Sequence, residues 1–189
     1  MIVVIDPGHG GNDPGAIGRD TKLREAEVNL AVAKMLTRKL GEGGHRTLLT
    51  READVQLVPG DRSRDLAARP EMANKFGADC FLSIHCNAAV SRAAHGFEIY
   101  TTRGRDRSDT FALHILEAWR DRIPEIKVRG SKEADFAVLR HSRVPAALVE
   151  LAFLSHPGEE RFLADPEKQE RMAEALDLGL RAWARTAGI

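Results

Sequence analysis

Short β-branched runs alternate with longer stretches of helical periodicity along the whole chain, and no other feature limits the fold as much. That alternation favours an α/β sheet. Residues 2–5 form a continuous apolar run ending in Asp6-Pro7-Gly8, which reads as a buried strand entering a turn. Residues 27–40 place Val28, Ala31, Val32, Met35, Leu36 and Leu40 on one helical face, and Gly41, Gly43 and Gly44 close that helix. Further strands are predicted over 46–50, 79–86, 96–101, 134–139 and 146–151. The stretch 55–64 is polar and turn-like; a helix capped by Asp65 follows to Phe76, delayed or kinked by Pro70. Ser108 caps a helix over 108–123, and Asp165-Pro166 opens a last one with Met172, Leu176, Leu180 and Trp183 inward. The expected architecture is a single α/β domain over 1–189, with a twisted, mostly parallel central sheet of about six strands and helices on both faces. A chain of 189 residues buries about 70% of its unfolded surface, enough for such a layered core.

Charge and composition exclude several functions. Lys+Arg and Asp+Glu both number 28, so the formal charge is zero, which argues against a nucleic-acid partner needing a basic surplus. No apolar run approaches the roughly 20 residues of a membrane span. The first apolar run stops at Asp6 and no basic segment precedes it, so no secretory signal is visible; either the chain is made without one or it has been removed. The two cysteines make no disulfide scaffold. Cys80 and Cys86 lie on one predicted strand, on the order of 20 Å apart, beyond disulfide reach.

Three segments carry chemistry. Residues 6–16, Asp-Pro-Gly-His-Gly-Gly-Asn-Asp-Pro-Gly-Ala, follow the first strand, where α/β proteins build ligand sites. A dinucleotide fingerprint starting at Gly8 would need glycine in place of Asp13, and no GK[ST] is present. A glycine bed around His9 suits close backbone approach to a metal or substrate, although a Gly-rich turn with an exposed histidine fits the same residues. In Phe81-Leu82-Ser83-Ile84-His85-Cys86-Asn87, alternation places His85 with Phe81 and Ser83, opposite Leu82, Ile84 and Cys86. Taken alone, His85 also fits a satisfied core residue. Glu150 ends a buried apolar strand, where a carboxylate is either paired, for instance with Arg140 or Arg143, or available for acid–base work with a raised pKa. Catalytic zinc commonly takes two histidines and a carboxylate. His9, His85 and either Glu25 or Glu27 supply that set, while both glutamates also suit a helix N-terminus.

The blocks DPGHGGNDPGA, EAEVNL, FLSIHCNAA, GFEIY, FAVLR and VPAALVELAFLSHP together resemble the zinc-dependent N-acetylmuramoyl-L-alanine amidases of the amidase-3 type, in the family's order and over nearly the whole chain. The resemblance implies that His9, Glu25 and His85 hold one zinc ion and that Glu150 is the catalytic acid/base, thereby choosing Glu25 over Glu27. It implies hydrolysis of the amide between N-acetylmuramic acid and L-alanine by zinc-activated water, with peptidoglycan as the partner. Asn87, just beyond His85, is a candidate substrate contact. Ala26, Cys86, Ala152 and His156 depart from the family's usual lysine, alanine, glycine and asparagine, and none of these removes a ligand or the base. Cys86 points away from His85 and is rejected as a ligand.

Only residues 90–95 separate the SIH block from Gly96-Phe97-Glu98, where division amidases carry a long inhibitory insertion. An open site, a phage-lysin-like catalytic domain without a wall-binding domain (or else a sporulation or trimmed secreted amidase), a monomeric state and action at the cell wall, in the extracellular or periplasmic space, are the resulting expectations. The alternatives are a non-catalytic wall-binding module and a same-fold zinc hydrolase of another amide bond.

Overall fold

The computed structural model describes residues 1–104 and 106–189. The expected six-stranded sheet is present, in the order β2-β1-β3-β6-β4-β5. Its strands are β1 (Ile2–Pro7), β2 (Arg46–Leu49), β3 (Cys80–Asn87), β4 (Phe97–Thr101), β5 (Val128–Glu133) and β6 (Ala146–Phe153). The pairs β1–β2, β1–β3, β3–β6 and β4–β5 are parallel, and β4 runs antiparallel to β6. The continuous apolar runs of β1, β3 and β6 follow from burial on both faces of a parallel core.

On one face lie α1 (Glu25–Glu42), α3 (Asp106–Arg122) and α6 (Pro166–Ala187), with α6 packed against both α1 and α3. Their core includes Val28, Leu36, Trp119, Leu176 and Trp183 with Leu82, Ile84 and Cys86 from β3. On the other face, α2 (Arg62–Phe76) and the single turn α4 (Ala137–Arg140) pack with Phe81, Leu148 and Val138. The predicted two-sided alternation of β3 is therefore met. Among the described residues, no helix is long and apolar enough to cross a membrane. Cys80 and Cys86 are both buried and free.

Four local expectations need correction. The run 134–139 is not a strand: β5 is the preceding, polar segment, and Val138 and Leu139 are buried in the turn of α4. A short apolar run has no periodicity to distinguish the two. Helix α2 begins at Arg62, with Asp61 Oδ1 accepting from Arg64 N at 3.0 Å, and it runs on through Pro70 instead of starting near it. Asp65 is not its cap; its Oδ1 accepts from Leu57 N at 2.7 Å and Val58 N at 3.0 Å. Ser108 lies inside α3, where its hydroxyl accepts from Ala146 N at 3.1 Å and ties the helix to β6. One helix was not anticipated, α5 (Pro157–Ala164); its cap is the departing residue His156, whose Nδ1 accepts from Glu159 N at 3.2 Å.

Candidate active site

The chain leaves β1 through α1 to β2 on one side, then returns through α2 to β3 on the other. Beyond the C-terminal ends of β1 and β3 this reversal opens a crevice, the usual ligand position in such sheets. His9 follows β1 by two residues, Glu25 is the first residue of α1, and His85 is near the end of β3. Glu150 on β6 is the register partner of His85. All four sequence-predicted groups thus reach one end of the sheet. Glu27 is exposed and pairs with Arg24 at 3.7 Å, whereas Glu25 is buried.

The glycines make this convergence sterically possible. A Cβ on Gly8 would lie 2.1 Å from His85 Cε1 and 2.2 Å from Nε2, so the imidazole rests on bare backbone. At Gly15, with φ of +67°, a Cβ would meet Glu25 Oε2 at 2.6 Å and His9 Cδ2 at 2.8 Å. The glycine bed therefore makes room for the side chains of His9, Glu25 and His85 themselves. His9 has φ of +64°, an uncommon value for a non-glycine residue, which aims its ring at Glu25.

His9 Nε2 and His85 Nδ1 lie 3.1 Å and 2.9 Å from the same oxygen, Glu25 Oε1. The imidazoles meet edge to face, with centroids 4.9 Å apart. Cys86 N donates to Glu25 Oε1 at 3.1 Å and Ala16 N to Oε2 at 2.8 Å, fixing the carboxylate from both sides. One nitrogen or oxygen from each of His9, Glu25 and His85 lies within 4.8 Å of the others, the only such metal-capable cluster among the described residues. The donor set is that of a catalytic zinc site. The sequence assigned no role to Asp13, yet its Oδ2 lies 2.9 Å from His9 Nδ1, a contact that orients the ring with Nε2 towards Glu25. Against the penalty of burial, hydrogen bonds from His85 and His9 hold the Glu25 carboxyl far below its ordinary range. Burial likewise opposes the shift at His9, but Glu25 and Asp13 raise its pKa.

Two buried arginines brace the loop. Arg51 donates to the carbonyls of Pro7, Gly8 and Ala26 at 2.8–2.9 Å. Arg69 donates to Asp6 Oδ1 at 2.9 Å, to Asp65 Oδ2 at 2.9 Å and to the carbonyls of Pro7 and His9 at 3.0 Å. Asp6 also accepts from Thr50 and Ser83 hydroxyls at 2.6 and 2.7 Å. Although burial alone would raise it, Arg69 and these hydroxyls keep the Asp6 carboxyl below its ordinary value.

Glu150 has the opposite surroundings. Arg140 is taken by Asp135 at 2.8 Å, and Glu150 forms no ion pair among the described residues. Its Oε2 is buried without a hydrogen-bond partner. Across the antiparallel pair its direct neighbour is Glu98, which is neutralised by Arg129, by Lys132 at 2.8 Å and by the Tyr100 hydroxyl. Burial, then the charges of Glu25 and Glu98, push the Glu150 carboxyl well above its ordinary value. Glu98 is itself held low despite burial, by Lys132, Tyr100 and Arg129. Two adjacent carboxyls with divergent pKa values mark acid–base assignment in a site. Asn87 does not line the cleft; its amide donates to Glu98 Oε2 at 3.4 Å and its Oδ1 accepts from Ala88 N at 2.9 Å.

A cleft of about 200 Å³ joins Gly8, His9, His85 and Glu150 to a second wall from α2 and α4, and residues 88–96 are absent from its lining. Residues 3–182 match the N-acetylmuramoyl-L-alanine amidase family. The chain belongs to this family. The enzyme is a peptidoglycan amidase, a hydrolase of cell-wall amide bonds. It is 30% identical over 186 residues to the germination-specific N-acetylmuramoyl-L-alanine amidase of Bacillus subtilis, covering 95% of this chain and 78% of that protein. The amidase AmiC2 of Nostoc punctiforme superposes with a TM-score of 0.90 at 34% identity, over 98% of this chain and 97% of the other. The CwlD amidase of Clostridioides difficile, solved in complex with the GerS lipoprotein, gives 0.92 at 28% identity, over 98% of both.

Asp6, Asp13, Arg51, Arg69 and Glu98 escaped the sequence reading. Only Asp13 carried a local signal, being four residues from His9 inside the glycine-rich block.

Proposed function

We propose that this amidase is zinc-dependent, with His9, Glu25 and His85 holding one ion and Glu150 transferring the proton during cleavage between N-acetylmuramic acid and L-alanine. The observation that carries the reading is the shared oxygen of Glu25: His9 Nε2 and His85 Nδ1 stand 3.1 Å and 2.9 Å from Glu25 Oε1, so that two imidazoles and a carboxylate converge as the ligands of one ion do. Zinc there would polarise the lactyl carbonyl and lower the pKa of water at the site.

The chain's own residues do the rest. Asp13 fixes the His9 tautomer, and Gly8 and Gly15 admit the two rings and the carboxylate to one point. Glu150 lines this cleft, carries no neutralising partner among the described residues, and accepts the proton of the attacking water. Water oxygen bonds to the carbonyl carbon, the C–N bond breaks, and Glu150 returns the proton to the alanine nitrogen. A lactyl carboxyl on the glycan and a free stem-peptide amine result. Asn87 acts through Glu98, holding the carboxylate that raises Glu150's pKa. The enzyme acts at the cell wall, extracellularly or in the periplasm, and its site is open without an activator.

Purified cell walls provide the test. Chelator treatment should abolish release of stem peptides and added zinc restore it; turnover by metal-free protein would overturn the zinc assignment. Mass spectrometry of digested muropeptides should find muramic acid separated from alanine. Wall binding without amine release would instead favour a non-catalytic binding module, and a different scission point another amide substrate.

A further inference from the structure

The second wall of the cleft differs in chemistry from the ligand wall. Leu66, Val138 and Leu148 line it with apolar surface, and Phe136 closes it, 37% exposed and edge-on to Tyr100 at 5.2 Å. The cleft is also lined by Arg62, the first residue of α2, whose charge is felt at Asp13. The neighbouring arginines are committed: Arg69 to Asp6 and Asp65, Arg51 to four carbonyls, Arg24 to Asp54 at 2.9 Å. Arg62 forms no ion pair or side-chain hydrogen bond among the described residues, although its charge reaches Asp13. The positive end of the α2 dipole adds to it.

We infer that this wall is a stem-peptide subsite, in which the apolar surface receives the side chain of the first alanine and Arg62 binds a carboxylate carried by the second residue. A glycan strand, rich in hydroxyls, has little to match an aliphatic wall, whereas a methyl group does. Successive peptide residues advance by roughly 3.5 Å, so the group displayed one residue beyond the scissile bond falls within reach of a long, partner-free guanidinium. A guanidinium binds a carboxylate bidentately through two parallel N–H donors, and a carboxamide, offering one acceptor and no charge, cannot reproduce that. Stem peptides in which the second residue is a γ-linked acidic residue bearing a free α-carboxylate are therefore the preferred substrates over those bearing the carboxamide.

This inference rests on the amidase reading. The experiment compares two soluble muropeptides identical except for carboxylate or carboxamide at that α-carbon. The zinc-loaded enzyme should prefer the carboxylate by about tenfold in kcat/KM, through KM. Arg62→Gln should bring the ratio close to one and Arg62→Lys should retain part of it. Calorimetric binding of the same two ligands to the Glu150→Gln protein should give the same order without turnover. Equal cleavage of both substrates by the unmodified enzyme, or a ratio unmoved by Arg62→Gln, overturns the subsite while leaving the amidase intact. If neither is cleaved, both fail. Arg62 is exposed at a helix end, so its substitution does not endanger folding.

Discussion

Two glutamates of the site, Glu25 and Glu150, sit in contrasting surroundings. Glu25 is satisfied on every side, by two imidazoles, two backbone N–H groups and a loop that Arg51 and Arg69 hold from behind. Glu150 lies in the neighbouring strand with one oxygen buried and unpartnered and a second carboxylate directly across from it. Glu25 is thereby kept ionised and fixed, which suits the ligand role proposed for it. Glu150 is kept easy to protonate, which suits the proposed proton transfer. The same side chain on two elements of one sheet end acquires two roles from its neighbours.

Substitutions on each side should break this contrast in different observables. Glu150→Gln removes the proton acceptor while preserving shape, so turnover should fall by about 10²–10⁴-fold with zinc content unchanged; near-normal hydrolysis of cell walls by that variant would remove Glu150 from its assigned role. Arg69→Met strips Asp6 of its buried partner and should cost about 3–5 kcal/mol in urea unfolding, because the uncompensated charge remains in the core. Asp13→Ala frees the His9 ring and should weaken zinc binding by about 10–100-fold in chelator competition, with little change in the metal-free unfolding midpoint.

The smallest effect is the most specific to the comparison. Glu150 accepts a proton only when ionised, and its pKa is raised, so kcat/KM should fall as pH drops through a value above the ordinary 4.5 of a glutamate. Glu98→Gln removes one of the charges responsible and leaves Arg129 and Lys132 nearby, so that acid limb should move to lower pH. A limb that stays in place, or moves upward, would separate Glu98 from the tuning of Glu150. Stability follows the opposite sign at Asp6. Its folded pKa is depressed, so its contribution is present above the unfolded value near 3.8 and is lost as the pH falls below that toward the folded one. Acid unfolding of Asp6→Asn should accordingly be less steep.

Local pattern was enough for β1, β3 and β6, since strands buried on both faces must be continuously apolar. It failed at β5, an edge strand of alternating exposed and half-buried residues without an apolar run. It failed again at α4, whose Val138 and Leu139 are apolar because α2 packs on them, not because they extend a sheet. His156 gave no helix signal because imidazole is not among the usual capping side chains.

By itself, the sequence determined which groups exist and where the chain can present them: His9 and Glu25 flank the turn from β1 to α1, and His85 and Glu150 lie on apolar strands. Glycines at 8 and 15 were also visible, but not what they make room for. Tertiary structure decided the rest: that Arg69, 63 residues from Asp6, neutralises it in the core, that Glu98 lies across from Glu150, and that Arg62 lines the cleft with no ion pair among the described residues. These relations join residues far apart in the chain, and their energies depend on burial and on which charges meet. Periodicity records only which face of its own element a residue takes; the partner waiting there is set by how the elements pack.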